Sequence, residues 1–105
     1  MAATLKPLFR GAATTTTTTV LYTVPASTTT AVTNIVITNT AASAGTFTLA
    51  MGPAAGQIAM ATTVAIAANS IVTLDIKQTL TATQTITGGA SATTINFHIS
   101  GVEIV

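Results

Sequence analysis

Residues 94–100 read TINFHIS. Ile95, Phe97 and Ile99 alternate with Asn96, His98 and Ser100. An apolar residue at every second position lets an extended chain bury one face and hydrate the other. The pattern predicts a half-buried β-strand. Beyond Ser100 the parity reverses, with Val102 and Ile104 on the opposite register and Gly101 at the reversal. That predicts a bulge at Gly101, or a final stretch that buries both faces against a neighbour.

The same period of two recurs upstream. In TFTLAM, residues 46–51, Phe47, Leu49 and Met51 share a face. In IVTLDIKQ, residues 71–78, Val72, Leu74 and Ile76 point one way, and Ile71, Thr73, Asp75 and Lys77 the other. AVTNIVITN, residues 31–39, is apolar on both faces at its middle, which suggests a central strand or one under an interface. Turn residues separate these runs: Pro25-Ala26-Ser27, Ala41 to Gly45, Gly52-Pro53 with Gly56, Ala68-Asn69-Ser70, and Gly88-Gly89 read as a hairpin turn. Helical periodicity is lacking, and Glu, Lys, Arg and Leu are scarce. The expected fold is all-β: an antiparallel β-sandwich, jelly-roll-like, with seven or eight short strands.

Threonine supplies about a quarter of the chain. It is β-branched and suits a pleated surface, and its hydroxyl meets water without charge. Six consecutive threonines occupy residues 14–19, immediately before VLYTVP. They read as an extended passage whose later residues already belong to the first strand.

Charge is scarce. The charged residues are Lys6, Arg10, Asp75, Lys77 and Glu103, 5% of the chain against about 25% in an average globular protein. A net charge of +1 leaves nothing to steer nucleic acid and little colloidal repulsion. Association with copies of itself or another partner is therefore expected. There is no cysteine. Despite a mean hydropathy of +0.70, no run of ~20 apolar residues exists to span a membrane. Nor does the N-terminus read as a signal peptide.

Residues 1–13 differ from the rest. They read as an N-terminal arm ahead of a β-sandwich domain over 14–105. The segment is too short to form a core, so it is either a disordered terminus or an arm. As an arm, Leu5, Leu8 and Phe9 would anchor on a partner while Lys6 and Arg10 meet carboxylates.

The catalytic inventory is thin. His98 is the single histidine, and Asp75 and Glu103 are the side-chain carboxylates. Glu103 lies five residues from His98, on the opposite face of a strand unless Gly101 shifts the parity. No nucleophile elbow, metal-ligand spacing or phosphate-binding glycine loop occurs. The chain is expected to be non-enzymatic, without cofactor, metal or small-molecule substrate. Asp75 and Lys77 are expected to pair weakly on a solvated edge.

The run LYTVPASTTTAVTNIVITNTAASAGTFTLAMG (21–52), followed by IAANSIVTLDIKQTLTATQTI (66–86) and INFHISGVEI (95–104), resembles small β-rich structural proteins of tailed bacteriophages. The resemblance covers roughly residues 20–104 and is one of strands and turns. It implies a virion component, made in the host cytoplasm and placed on head or tail. The first expectation is a capsid decoration (cement) protein bridging major capsid subunits as a homo-oligomer, a trimer by default. The alternative is a tail, baseplate or fibre component, in possible contact with the host surface.

Overall fold

In the computed structural model, which describes residues 2–75 and 77–105, the chain is all-β with two antiparallel sheets. The strands are β1 (Ala3–Ala12), β2 (Val20–Thr23), β3 (Thr29–Asn39), β4 (Gly45–Gly52), β5 (Ile58–Ile66), β6 (Ser70–Leu74), β7 (Gln78–Leu80), β8 (Thr85–Ala90) and β9 (Ile95–Ile104). One sheet runs β1-β9-β3-β6, with β7 also paired to β3; the other runs β2-β8-β4-β5. There are nine strands among the described residues rather than seven or eight. One reason is that the stretch the alternation reads as one strand is divided into β6, which ends at Leu74, and β7, which begins at Gln78. Ile76 lies outside the described residues.

One core joins the sheets. Val32, Ile35, Ile37, Ile95, Phe97 and Ile99 come from one sheet; Phe47, Leu49, Met51, Ile66, Ile86 and Ala90 come from the other. Phe47 and Phe97 meet edge to face across the core, centroids 6.4 Å apart at 76°, a geometry worth about 0.5–1.5 kcal/mol beyond burial. The alternations at 46–51 and 94–100 thus bury the faces expected of them. AVTNIVITN is indeed central, flanked by β9 on one side and β6 and β7 on the other.

The irregularity near Gly101 falls elsewhere than expected. β9 itself runs on without an extra residue. The register shifts lie in its neighbours, at Leu8 between Pro7 and Phe9 of β1 and at Thr33 between Val32 and Asn34 of β3. Gly101 keeps the core-facing parity of Ile95, Phe97 and Ile99, and it is buried. A Cβ there would lie 2.8 Å from Leu8 Cδ1 and 2.4 Å from the Ala31 carbonyl. The glycine therefore leaves a vacancy in the core row that the bulged Leu8 fills.

Two further expectations are corrected. Gly88-Gly89 is no hairpin turn; it lies inside β8, which is buried along its whole length. A Cβ on Gly88 would meet Leu49 Cδ2 at 2.7 Å, and one on Gly89 would meet the Thr16 carbonyl at 2.4 Å. The second approach shows where the threonine run goes. Residues 14–19 are not an extended lead into β2 but a turn, closed by Thr19 N–H to the Thr16 carbonyl. The Thr14 and Thr19 hydroxyls lie 2.6 Å apart, so that one donates to the other, and both are within hydrogen-bond reach of the Thr16 carbonyl. This turn carries the chain from one sheet to the other and covers β8 from outside.

A second cover comes from the β4–β5 loop. Gln57 Nε2 lies 2.7–3.0 Å from the Gly52 and Pro53 carbonyls and Thr85 Oγ1, and its Oε1 accepts from Thr87. These bonds satisfy Thr85 and Thr87, polar residues that are buried.

Candidate functional site

Residues 3–12, read above as an arm, are the edge strand β1, paired along its length with β9. The named arm residues part company there, because successive side chains of a strand point to opposite faces. Leu8 enters the core and Phe9 packs against it half-buried. Leu5 stays 80% exposed, on a row with Val102 of β9 and Ala31 of β3. Arg10 is exposed and faces His98 across the ladder. Lys6 turns toward the mouth between the sheets, where Glu103 receives it.

Glu103 is the next residue on the core-facing row after Gly101. It stands where that row leaves the core, its side chain only 13% exposed. Three elements supply its surroundings. Lys6 of β1 lies 3.3 Å from Oε1, Tyr22 of β2 donates its hydroxyl to Oε2 at 2.5 Å, and that hydroxyl is 2.8 Å from Thr30 Oγ1 of β3. Four strands from both sheets are thereby tied at one point. The Tyr22 hydrogen bond, opposed by desolvation and assisted by Lys6, holds the Glu103 carboxyl below its ordinary range. Burial first, and then the bond to Glu103, push the Tyr22 hydroxyl up to about 12. The arrangement keeps a proton on tyrosine and a charge on glutamate, which suits a clasp. Its charged partner is 42% exposed, so the ion pair itself adds little and the hydroxyl bond carries more.

The sequence suggests Lys6 for an arm and Glu103 for a catalytic search, and it gives Tyr22 and Thr30 no role here. The residues are up to 97 positions apart, and nothing local marks them as neighbours. His98 sits on the outer face of β9, away from Glu103, because the parity at Gly101 does not shift within β9. Asp75 and Lys77 pair at 3.1 Å, exposed at the break between β6 and β7. Among the described residues, no three of His, Asp and Glu gather as metal ligands. No helix among them is long and apolar enough to cross a membrane.

A groove of about 310 Å³ opens between β5 and β7. Met51, Ile58, Met60 and Leu80 line it, with Gln78 and Gln84 at its rim. Ile58 is 72% exposed. Val20, Val64 and Ile71 add exposed apolar side chains on β2, β5 and β6.

The sheet edges are each blunted. β1 carries Pro7, the Leu8 bulge, Lys6 and Arg10; β2 has four residues; β6 and β7 are split by Asp75–Lys77. β5 has no charge, but two register shifts against β4 and a left-handed Thr63 (φ 49°) break its ladder. These are the devices by which sheets resist edge-to-edge pairing. No protein-family profile, no characterised protein sequence and no solved structure matches the chain.

Proposed function

We propose that this chain is a non-enzymatic structural protein of a phage virion, a decoration protein that bridges major capsid subunits. The observation that carries the reading is the strand pairing. β1 pairs with β9, β2 with β8, β3 with β6 and β7, and β4 with β5. Successive pairs fall in alternate sheets, an order that a jelly-roll sandwich would produce by rolling up one long hairpin. Viral capsid domains use this plan, as do lectins and cupins.

Fold does not fix function, so the surface has to separate these uses. Leu5, Val20, Ile58, Val64 and Ile71 are exposed on the outer strands. Lys6 is matched by Glu103 and Lys77 by Asp75, which leaves Arg10 as the cation without an acidic partner among the described residues. A surface this neutral, with little like-charge repulsion between copies, suits association with many copies of a lattice. Because the edges are blunted, bridging would use side-chain faces and the groove between β5 and β7 rather than added strands. The resemblance to phage β-rich proteins points the same way. It also supports the second reading, a tail or baseplate component.

Cryo-electron microscopy of purified particles, with quantitative densitometry, tests the proposal. Copies spread over the head by the hundred support decoration. A small ring confined to the tail replaces it with the tail reading. Absence from the particle overturns both.

A further inference from the structure

We propose that β1 is an exchangeable strand: it leaves its own β9 and takes the same place on β9 of a second copy. The inference deepens the self-association in the reading above and rests on it.

Three observations carry it. First, β1 is bound on one side only. Its ladder partner is β9 alone, and beyond Leu8 and part of Phe9 it gives nothing to the core. Its free side is closed to any other strand by Pro7 and the bulge.

Second, the place it would leave is specific. The β9 edge offers the Gly101 vacancy, which Leu8 fills, and Glu103, which Lys6 meets at 3.3 Å. Without β1, ten residues of β9 present an unpaired edge with no proline. The β1 of another copy has the complementary bulge, leucine and lysine in register, so the pairing given up within one chain forms again between two.

Third, few bonds hold the connection. The side-chain bonds of the 14–19 turn are internal to it, and its ties to β8 are two backbone bonds, Ala90 N–H to the Thr14 carbonyl and Gly88 N–H to the Thr19 carbonyl, of which exchange need release only the first. None of its side chains enters the core, and none is charged. Extended, its six residues reach roughly 20 Å, at about 3.3–3.6 Å each.

The absence of native cysteine makes a direct test possible. Ala13 N–H donates to the Ile95 carbonyl. Counting along the alternating ladder makes Arg10 and His98 a non-hydrogen-bonded pair, with Cα atoms about 4.5 Å apart. That is within disulfide reach. The double variant R10C/H98C, refolded dilute, should close an intrachain disulfide and verify the geometry.

The single variants R10C and H98C are then unfolded, mixed and refolded together near 1 mM, the order of effective concentration a short linker gives its own strand. Exchange predicts R10C–H98C heterodimers well above the random proportion relative to the two homodimers. Deleting Thr16 and Thr17, so that the turn cannot close, should raise that yield several-fold. Monomers alone, or heterodimers at the random proportion, in both the parent and the deletion background overturn the proposal. No particle enters the experiment, so its failure leaves the copy-number result and the decoration reading untouched.

Discussion

Replacing Gly101 with alanine tests the packing of the core most sharply. The added Cβ would stand 2.4 Å from the Ala31 carbonyl oxygen and 2.8 Å from Leu8 Cδ1. Leu8 is a side chain and can turn. The Ala31 carbonyl is backbone, held in β3 two residues before the Thr33 bulge, and moving it disturbs the β3–β9 ladder. Overpacking typically costs about 1–3 kcal/mol. A backbone obstacle belongs at the upper end. Relief of the entropy that glycine loses in a strand returns about 0.5–1 kcal/mol. The net expectation is a loss of about 2 kcal/mol, a drop of roughly 10 °C in Tm for a domain of this size. Urea unfolding at an unchanged m-value would measure it.

Gly56 provides the matched control. Nothing lies within 4 Å of a Cβ there, so Gly56→Ala should stay within about 0.5 kcal/mol of the parent. Leu8→Ala in the Gly101→Ala background separates the two obstacles. It should recover little, because the carbonyl remains. Full recovery would mean that Leu8 alone fills the vacancy. A Gly101→Ala protein as stable as Gly56→Ala would refute the packing argument outright.

Thr63 and Thr83 adopt left-handed backbone, at φ 49° and 69°, which a β-branched residue resists. Thr63→Asn and Thr83→Asn should each raise stability by about 0.5–1 kcal/mol, additively, as read by thermal melts. Tyr22 is the single tyrosine and there is no tryptophan, so phenolate absorbance should report one titration near 12 in the folded chain, returning toward 10.0 in denaturant. Because that folded pKa is raised, its contribution is full below pH 10.0 and is lost as pH climbs toward 12. The Glu103 carboxyl is held down, so its contribution is full above the ordinary value of 4.5 and fades as pH falls through the folded pKa. Glu103→Gln should flatten that acid limb of the stability profile. His98→Ala should leave the fold intact, since the imidazole lies on the outer face of β9 away from the core; loss of particle association without unfolding would place His98 in an interface.

The strands are legible where one face is buried and the other is wet. TFTLAM and TINFHIS can be read because Phe47, Leu49, Phe97 and Ile99 alternate with polar or small residues, and both stretches are strands with those residues in the core. β1 is not legible as part of the fold. Of its ten residues only Leu8 is buried, and the bulge breaks the period that would have announced it. Gly88-Gly89 misleads because paired glycines usually mark a turn. Here they mark crowding on both sides of β8, a tertiary fact with no local signature. The threonine run misleads for a related reason. β-branching favours extension, but Thr14, Thr16 and Thr19 satisfy one another at a spacing that closes a turn. The Glu103–Tyr22–Lys6 clasp joins residues that no spacing rule connects.

What the scarcity of charge means changes once the sheets are seen. Lys6 and Arg10 lie on the β1 edge, Asp75 and Lys77 in the break between β6 and β7, and Glu103 at the mouth between the sheets. None stands at the middle of a broad face. A charge on an edge strand deters a strange strand, because pairing would bury it. The few charges are thus placed where strand addition is the hazard, and of the two edges without them β2 is only four residues long and β5 is broken by geometry. The faces are left to hydroxyls, amides and isolated apolar side chains, which neither repel a copy of the same chain nor bind it by sheet extension. Two routes of association remain: packing through faces, and exchange of the one edge strand whose own receptor site is already shaped for it. The Arg10–His98 disulfide experiment separates them through the turn deletion, since only exchange makes cross-linking of those two positions rise when the turn cannot close.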